Sequence, residues 1–141
     1  MPGVNSRRVW IGALVGGVVW NVWSFVIYFA LLGSRYTETQ QAGHFLKDPR
    51  YPFYMGQWII TLFLLSFVVA WLYASARATR GVGPGTALKI GLFVGFAAGF
   101  PGALAGANWA PYSRMIPLGQ MLEMWVGAIL ATLVAGWLYR D

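Results

Sequence analysis

The chain has 141 residues, 58% of them hydrophobic and only 10% charged, with a net charge of +6 and a mean hydropathy of +0.59. A soluble domain carries about 25% charged residues, so this composition excludes a soluble monomer, a disordered chain, a coiled coil and a soluble enzyme. It fits a small polytopic membrane protein of one domain, residues 1–141.

Four apolar stretches of about 20 residues, the length a helix needs to cross roughly 30 Å of hydrocarbon, predict an all-α bundle of four transmembrane helices in up-down order. The first covers residues 9–32 and is free of charge. Ser6-Arg7-Arg8-Val9-Trp10-Ile11 has a passing likeness to a twin-arginine export signal. The apolar run behind it is too long for a signal core and no small-x-small cleavage site follows, so the arginines read as anchors. Within this helix Gly17, Asn21, Ser24 and Tyr28 share a face. Asn21 sits about 18 Å beyond Val9, near the bilayer midplane. A polar stripe of this kind faces protein or water; it serves either an interhelical hydrogen bond or the binding of a ligand, pigment or ion.

Residues 33–52 form the one long connection. Ser34–Lys47 is polar and reads as a short helix or an interfacial segment, and Asp48-Pro49-Arg50-Tyr51-Pro52 breaks any helix before the second span, residues 53–74. His44, the single histidine, reads as a solvated loop residue. Gly81-Val82-Gly83-Pro84-Gly85 is a turn, with Thr86 placed to cap the third span, residues 87–107. That span carries Gly91, Gly95 and Gly99, then Gly102 and Gly106, and Pro101 is expected to kink it. The fourth span covers residues 118–139, with Gln120, Glu123, Gly127, Ala131 and Ala135 on one face. Glu123 is the one carboxylate inside a predicted span. It serves as an ion-pair partner of Arg114 or Arg35, as a water-facing anchor, or as a site for protons or substrate.

Small residues four apart mark where membrane helices approach closely. Gly12 and Gly16, the row from Gly91 to Gly99, and Gly127 are the packing candidates, within the bundle or against another subunit or flat cofactor. The patterns Ile11-Gly12-x-x-Val15-Gly16 and Ile90-Gly91-x-x-Val94-Gly95 recur, as do Trp71-Leu72-Tyr73 and Trp137-Leu138-Tyr139, and Gly56-Gln57 and Gly119-Gln120. The chain therefore reads as two hairpins of like orientation, through duplication or through chance agreement in low-diversity apolar sequence.

Orientation follows from the basic residues. Arg7, Arg8, Arg77, Arg80, Lys89 and Arg140 fall on the side of the termini, against one acid, Asp141. Arg35, Lys47, Arg50 and Arg114 fall opposite, offset by Glu38, Asp48 and Glu123. Both termini are expected in the cytoplasm. Gly17-Val18-Val19-Trp20-Asn21-Val22, Trp71-Leu72-Tyr73-Ala74 leading to Gly83-Pro84-Gly85, and Ala135-Gly136-Trp137-Leu138-Tyr139-Arg140 resemble a group of small bacterial four-helix integral membrane proteins. The resemblance implies the fold and a bacterial inner membrane, but no activity. Where that group often has an acid three positions after the first-helix Asn, this chain has Ser24.

Chemistry is sparse. The absence of Cys from the sequence, with one His, excludes disulfides, iron–sulfur clusters, Cys/His zinc sites and a haem held by two histidines of this chain. There is no catalytic triad, no phosphate-binding loop and no carboxylate pair for two metals. No cofactor motif is recognisable, so any cofactor is unknown, and in so apolar a chain the positive charge points to anionic lipid rather than nucleic acid. The expected function is a non-catalytic membrane subunit or scaffold, packing against other membrane helices of a larger complex of the respiratory or photosynthetic kind. The alternative is a small homodimeric transporter or channel using Asn21 and Glu123, with Pro101 as a hinge.

Overall fold

The computed structural model describes residues 3–139, so Arg140, counted above for orientation, lies outside the described residues. Its elements are all helical: α1 (Ser6–Ile27), α2 (Gly33–Gln41), α3 (Tyr54–Arg80), α4 (Pro84–Trp109) and α5 (Met115–Leu138). Four rods are long and apolar enough to cross a membrane, which makes this an integral membrane protein built as a four-helix bundle.

The first rod differs from expectation. A π-helical turn, Tyr28–Leu32, joins α1 to α2, and Ser6–Gln41 runs as one helical rod of 36 residues. The first nine residues of the expected loop are therefore helix. Gly33, the first residue of the expected loop, holds helical dihedrals, φ −56° and ψ −52°. The rod stops at Gly43, whose φ of 81° ends α2. Its N–H donates to Gln40 O and the His44 N–H donates to Thr39 O, the paired bonds that close a helix on a left-handed glycine. At 1.5 Å per residue the rod is about 54 Å long and outreaches the hydrocarbon by about 20 Å.

At the other end, α3 extends six residues past its predicted limit and stops at Gly81, φ 94°. α4 starts three residues early, with Pro84 in its first turn after Gly83, φ 126°. Proline fits there because that turn has no intrahelical use for its N–H. Thr86 is not the cap: its hydroxyl donates to Gly81 O at 2.8 Å. Asn5 caps α1, its Oδ1 accepting from the Arg8 N–H at 3.3 Å.

α5 is the central helix, in contact with α1, α3 and α4, whereas α1 and α4 lie apart. The α1–α5 seam is antiparallel and repeats every four residues on both helices: Gly12 faces Ala135, Gly16 faces Ala131, Trp20 lies on Gly127 and Ser24 meets Glu123. A Cβ on Gly12 would stand 3.1 Å from Ala135 Cα, and one on Gly16 would stand 3.0 Å from Ala131 O. The α4–α5 seam is closer still. A Cβ on Gly91 would lie 2.6 Å from Ile129 Cα, on Gly95 2.8 Å from Trp125 Cα, and on Gly99 2.6 Å from Met124 Cβ. The row from Ala87 through Gly91, Gly95 and Gly99 continues at Ala103, which is buried. It does not continue at Gly102, which is exposed and where an added Cβ would meet nothing within 4 Å. The close-packed glycines thus face inward. Gly91→Val is expected to destabilise the bundle by about 1–3 kcal/mol through overpacking against backbone, and Gly102→Ala to stay within about 0.5 kcal/mol of the parent. Unfolding in graded sodium dodecyl sulfate reads both.

The repeated Trp-Leu-Tyr motifs have matching ends. Tyr73 Oη accepts from the Gly83 N–H at 3.1 Å and Tyr139 Oη accepts from the Asn5 N–H at 2.8 Å. Each tyrosine thereby ties down the residue that precedes α4 or α1. The glycine repeats do not match in this way, since Gly12 and Gly91 both pack on α5 rather than on equivalent partners.

Candidate functional site

Two of the polar residues singled out in sequence meet in the half of the bundle away from the termini. Ser24 of α1 donates from Oγ to Glu123 Oε2 of α5 at 2.9 Å. Trp58 Nε1 of α3 donates to the same Ser24 Oγ, also at 2.9 Å. Three helices are therefore linked by a chain of two hydrogen bonds, Trp58 to Ser24 to Glu123, that ends on one carboxyl group. The indole N–H occupies the acceptor side of the serine hydroxyl and leaves its proton aimed at the glutamate. In sequence Trp58 is legible only as an interface tryptophan; its place in the site depends on the α1–α3 packing.

Glu123 is 7% exposed. Because α5 begins at Met115, the residue sits about 12 Å along the helix, deeper than a start at Leu118 implies. The expected ion pair with Arg114 does not form: the ion pair among the described residues is Arg35 with Glu38, at 3.9 Å. Nine residues at roughly 100° each put Arg114 on the opposite face of α5 from Glu123, and Arg114 is exposed. Arg35 is engaged by Glu38 on its own helix. Ser24 is the hydrogen-bond partner of Glu123 among the described residues, and Oε1 has none.

Asn21 is buried but stays within its helix, Nδ2 donating to Gly17 O at 2.8 Å. The interhelical bond expected of it is absent among the described residues, because the register turns Ser24 rather than Asn21 toward the α5 carboxylate. Gln120 lies one turn outward from Glu123 and donates from Nε2 to Tyr36 Oη of α2 at 3.2 Å. Beyond Ser24 the first rod advances eight residues to Leu32 while α5 moves only four, to Gly119, against which Leu32 packs. Tyr36 then reaches back over the site. Its ring lies 6.1 Å from that of Tyr28 and 5.7 Å from that of Phe45, which in turn lies 5.6 Å from Tyr112. These rings form an aromatic cover from four separate segments over the outer end of the carboxyl site.

Two polar groups farther inward are unpartnered. Trp20 Nε1 and Ser66 Oγ are buried without a hydrogen-bond partner among the described residues. His44 is exposed in the loop, and no cluster of three His, Cys, Asp or Glu suited to a metal occurs among the described residues. No protein-family model, curated protein or solved structure matches the chain.

Proposed function

We propose that this integral membrane protein takes up a proton or a small cation at Glu123 and passes it between the membrane surface and the bundle. The observation that supports the reading is a carboxyl group drawn from water into a membrane helix with no counter-charge beside it. On insertion scales a lone charge at the helix centre costs about 2.5–3.5 kcal/mol, and the neighbouring side chains supply hydroxyl and indole donors but no ammonium or guanidinium. Neutrality at such a site comes from a bound proton or a bound cation. The free Oε1 provides the acceptor for either. Purified protein in liposomes tests this: an imposed pH gradient should drive dye-reported proton flux or cation exchange above that of empty vesicles. Flux equal to empty vesicles overturns the reading.

Orientation follows the basic residues in the same proposal. Arg7, Arg8, Arg77, Arg80 and Lys89 share the end of the termini, and this basic excess supports a cytoplasmic position for that end in a bacterial inner membrane, with Glu123 nearer the opposite side.

A second reading, as a subunit packed against another membrane chain or a second copy, is favoured by the outer face of α4. The inward glycines lend it nothing, being filled by α5. Ala98, Gly102 and Ala105 are exposed there, and small residues at such spacing suit close helix approach. The chain contains no Cys, so Gly102→Cys introduces a unique thiol. Oxidation in native membranes is expected to give a disulfide-linked homodimer, whereas a heavier mixed complex in native mass spectrometry without that crosslink indicates a foreign subunit.

A further inference from the structure

A groove of about 500 Å³ opens at the end of the bundle that holds the termini, far from Glu123. Its walls come from α3, the α3–α4 turn, the start of α4 and the end of α5. Tyr73, Val82, Ala87, Leu133 and Trp137 supply apolar surface, and Arg77 supplies a guanidinium. Tyr73 and Tyr139 form its floor with rings 6.3 Å apart in an edge-on pair. Arg77 stands over the Tyr139 ring at 4.7 Å from its centroid. That stacking fixes the head group at the rim through its π face, and the fork of N–H donors in the guanidinium plane has the capacity to engage an anion as well.

The occupant follows from two features together. The charge at this end is mainly basic: Arg7, Arg8, Arg77, Arg80 and Lys89 lie here, against the one acid that the sequence puts on this side, Asp141, while Glu38, Asp48 and Glu123 lie in the opposite half. A free inorganic anion would need only the rim and would gain nothing from the apolar walls. A phospholipid uses both, because Trp137 is 74% exposed and Val82 68% exposed at the boundary of the spans. We infer that this groove is a binding site for an anionic phospholipid, its phosphate at Arg77 and an acyl chain laid along Leu133 and Trp137.

Native mass spectrometry of the full-length protein, offered phosphatidylglycerol and phosphatidylcholine with matched acyl chains, tests the assignment. The parent is expected to retain phosphatidylglycerol in preference to phosphatidylcholine. Arg77→Gln is expected to lower that preference about fivefold, the share of one basic residue in attraction to an anionic lipid. Val82→Asp, at an exposed turn position with little to lose in packing, sets a like charge against the phosphate and is expected to lower it as much. Arg114→Gln, exposed at the far end, should leave it unchanged. Equal retention of the two lipids by the parent overturns the inference. So does an undiminished preference in Val82→Asp, whatever Arg77→Gln does to the fold.

Discussion

Glu123→Gln is expected to abolish pH-dependent flux through reconstituted protein while leaving the bundle folded. Glutamine matches the glutamate in size, and its amide oxygen still accepts from Ser24 Oγ, so the link between α1 and α5 survives. What it loses is exchange of a proton and the negative charge a cation would bind. Stability should remain within about 1 kcal/mol of the parent, since one neutral hydrogen bond replaces another. Ser24→Ala separates the two contributions in the other direction. It retains the carboxyl but strips its donor and orphans the Trp58 N–H, so flux should fall without vanishing and stability should drop. The decisive comparison is flux per folded protein in matched vesicles. A Glu123→Gln variant that conducts like the parent removes the carboxyl from any pathway.

The largest loss of stability is expected at Trp20. Its side chain is fully buried between α1 and α5, seated on Gly127. In aqueous proteins truncating a buried tryptophan to alanine costs about 3–5 kcal/mol, part transfer and part cavity. Inside a membrane, lipid is as apolar as the core, so the transfer part shrinks and the lost packing remains. Trp20→Ala is therefore expected near the lower end, about 3 kcal/mol, measured as a shifted midpoint in detergent-driven unfolding. Trp20→Phe should cost far less, because the indole N–H it removes has no partner among the described residues. A Phe variant as damaged as the Ala variant would mean that the N–H is bonded after all, through a buried water.

The spans are legible in the sequence because charge and apolar length are one-dimensional properties, and four long apolar runs that hold only Lys89 and Glu123 as charges admit little else. Their ends are not. The apolar run ends before Gly33, and no residue pattern marks the π-helical turn that carries the first rod on into the polar segment beyond. α3 and α4 overrun their predicted limits at the turn because Arg77 and Arg80 are charged yet helical, and Pro84 is a natural first-turn residue. Ser24 and Glu123 stand out as polar residues in apolar runs, but their meeting depends on the α1–α5 register, which sequence spacing within either helix does not contain. The Arg114 pairing fails for a reason the spacing does contain: nine residues along a helix is half a turn off, roughly 180°. Trp58 is hidden by its type, since a tryptophan near a span end needs no function to explain it. In α4 the row of four-residue steps is visible from Gly91 to Gly99, yet its continuation at Ala103 instead of Gly102 reflects the path of α4 past α5.

The central position of α5 also bears on how the protein is made. Spans leave the ribosome in chain order, and α5 is the fourth, so the helix that holds α1 and α4 in one bundle arrives after both. Until then α1 and α3 have each other, while α4 waits with its glycine face open to lipid. Glu123 enters the bilayer on this last helix and finds its hydroxyl donor already there on the first. Biogenesis thus has a commitment step when the fourth span is made. A chain stalled after Trp109 leaves an unfinished set of helices, and adding α5 both closes the bundle and shelters Glu123 within it.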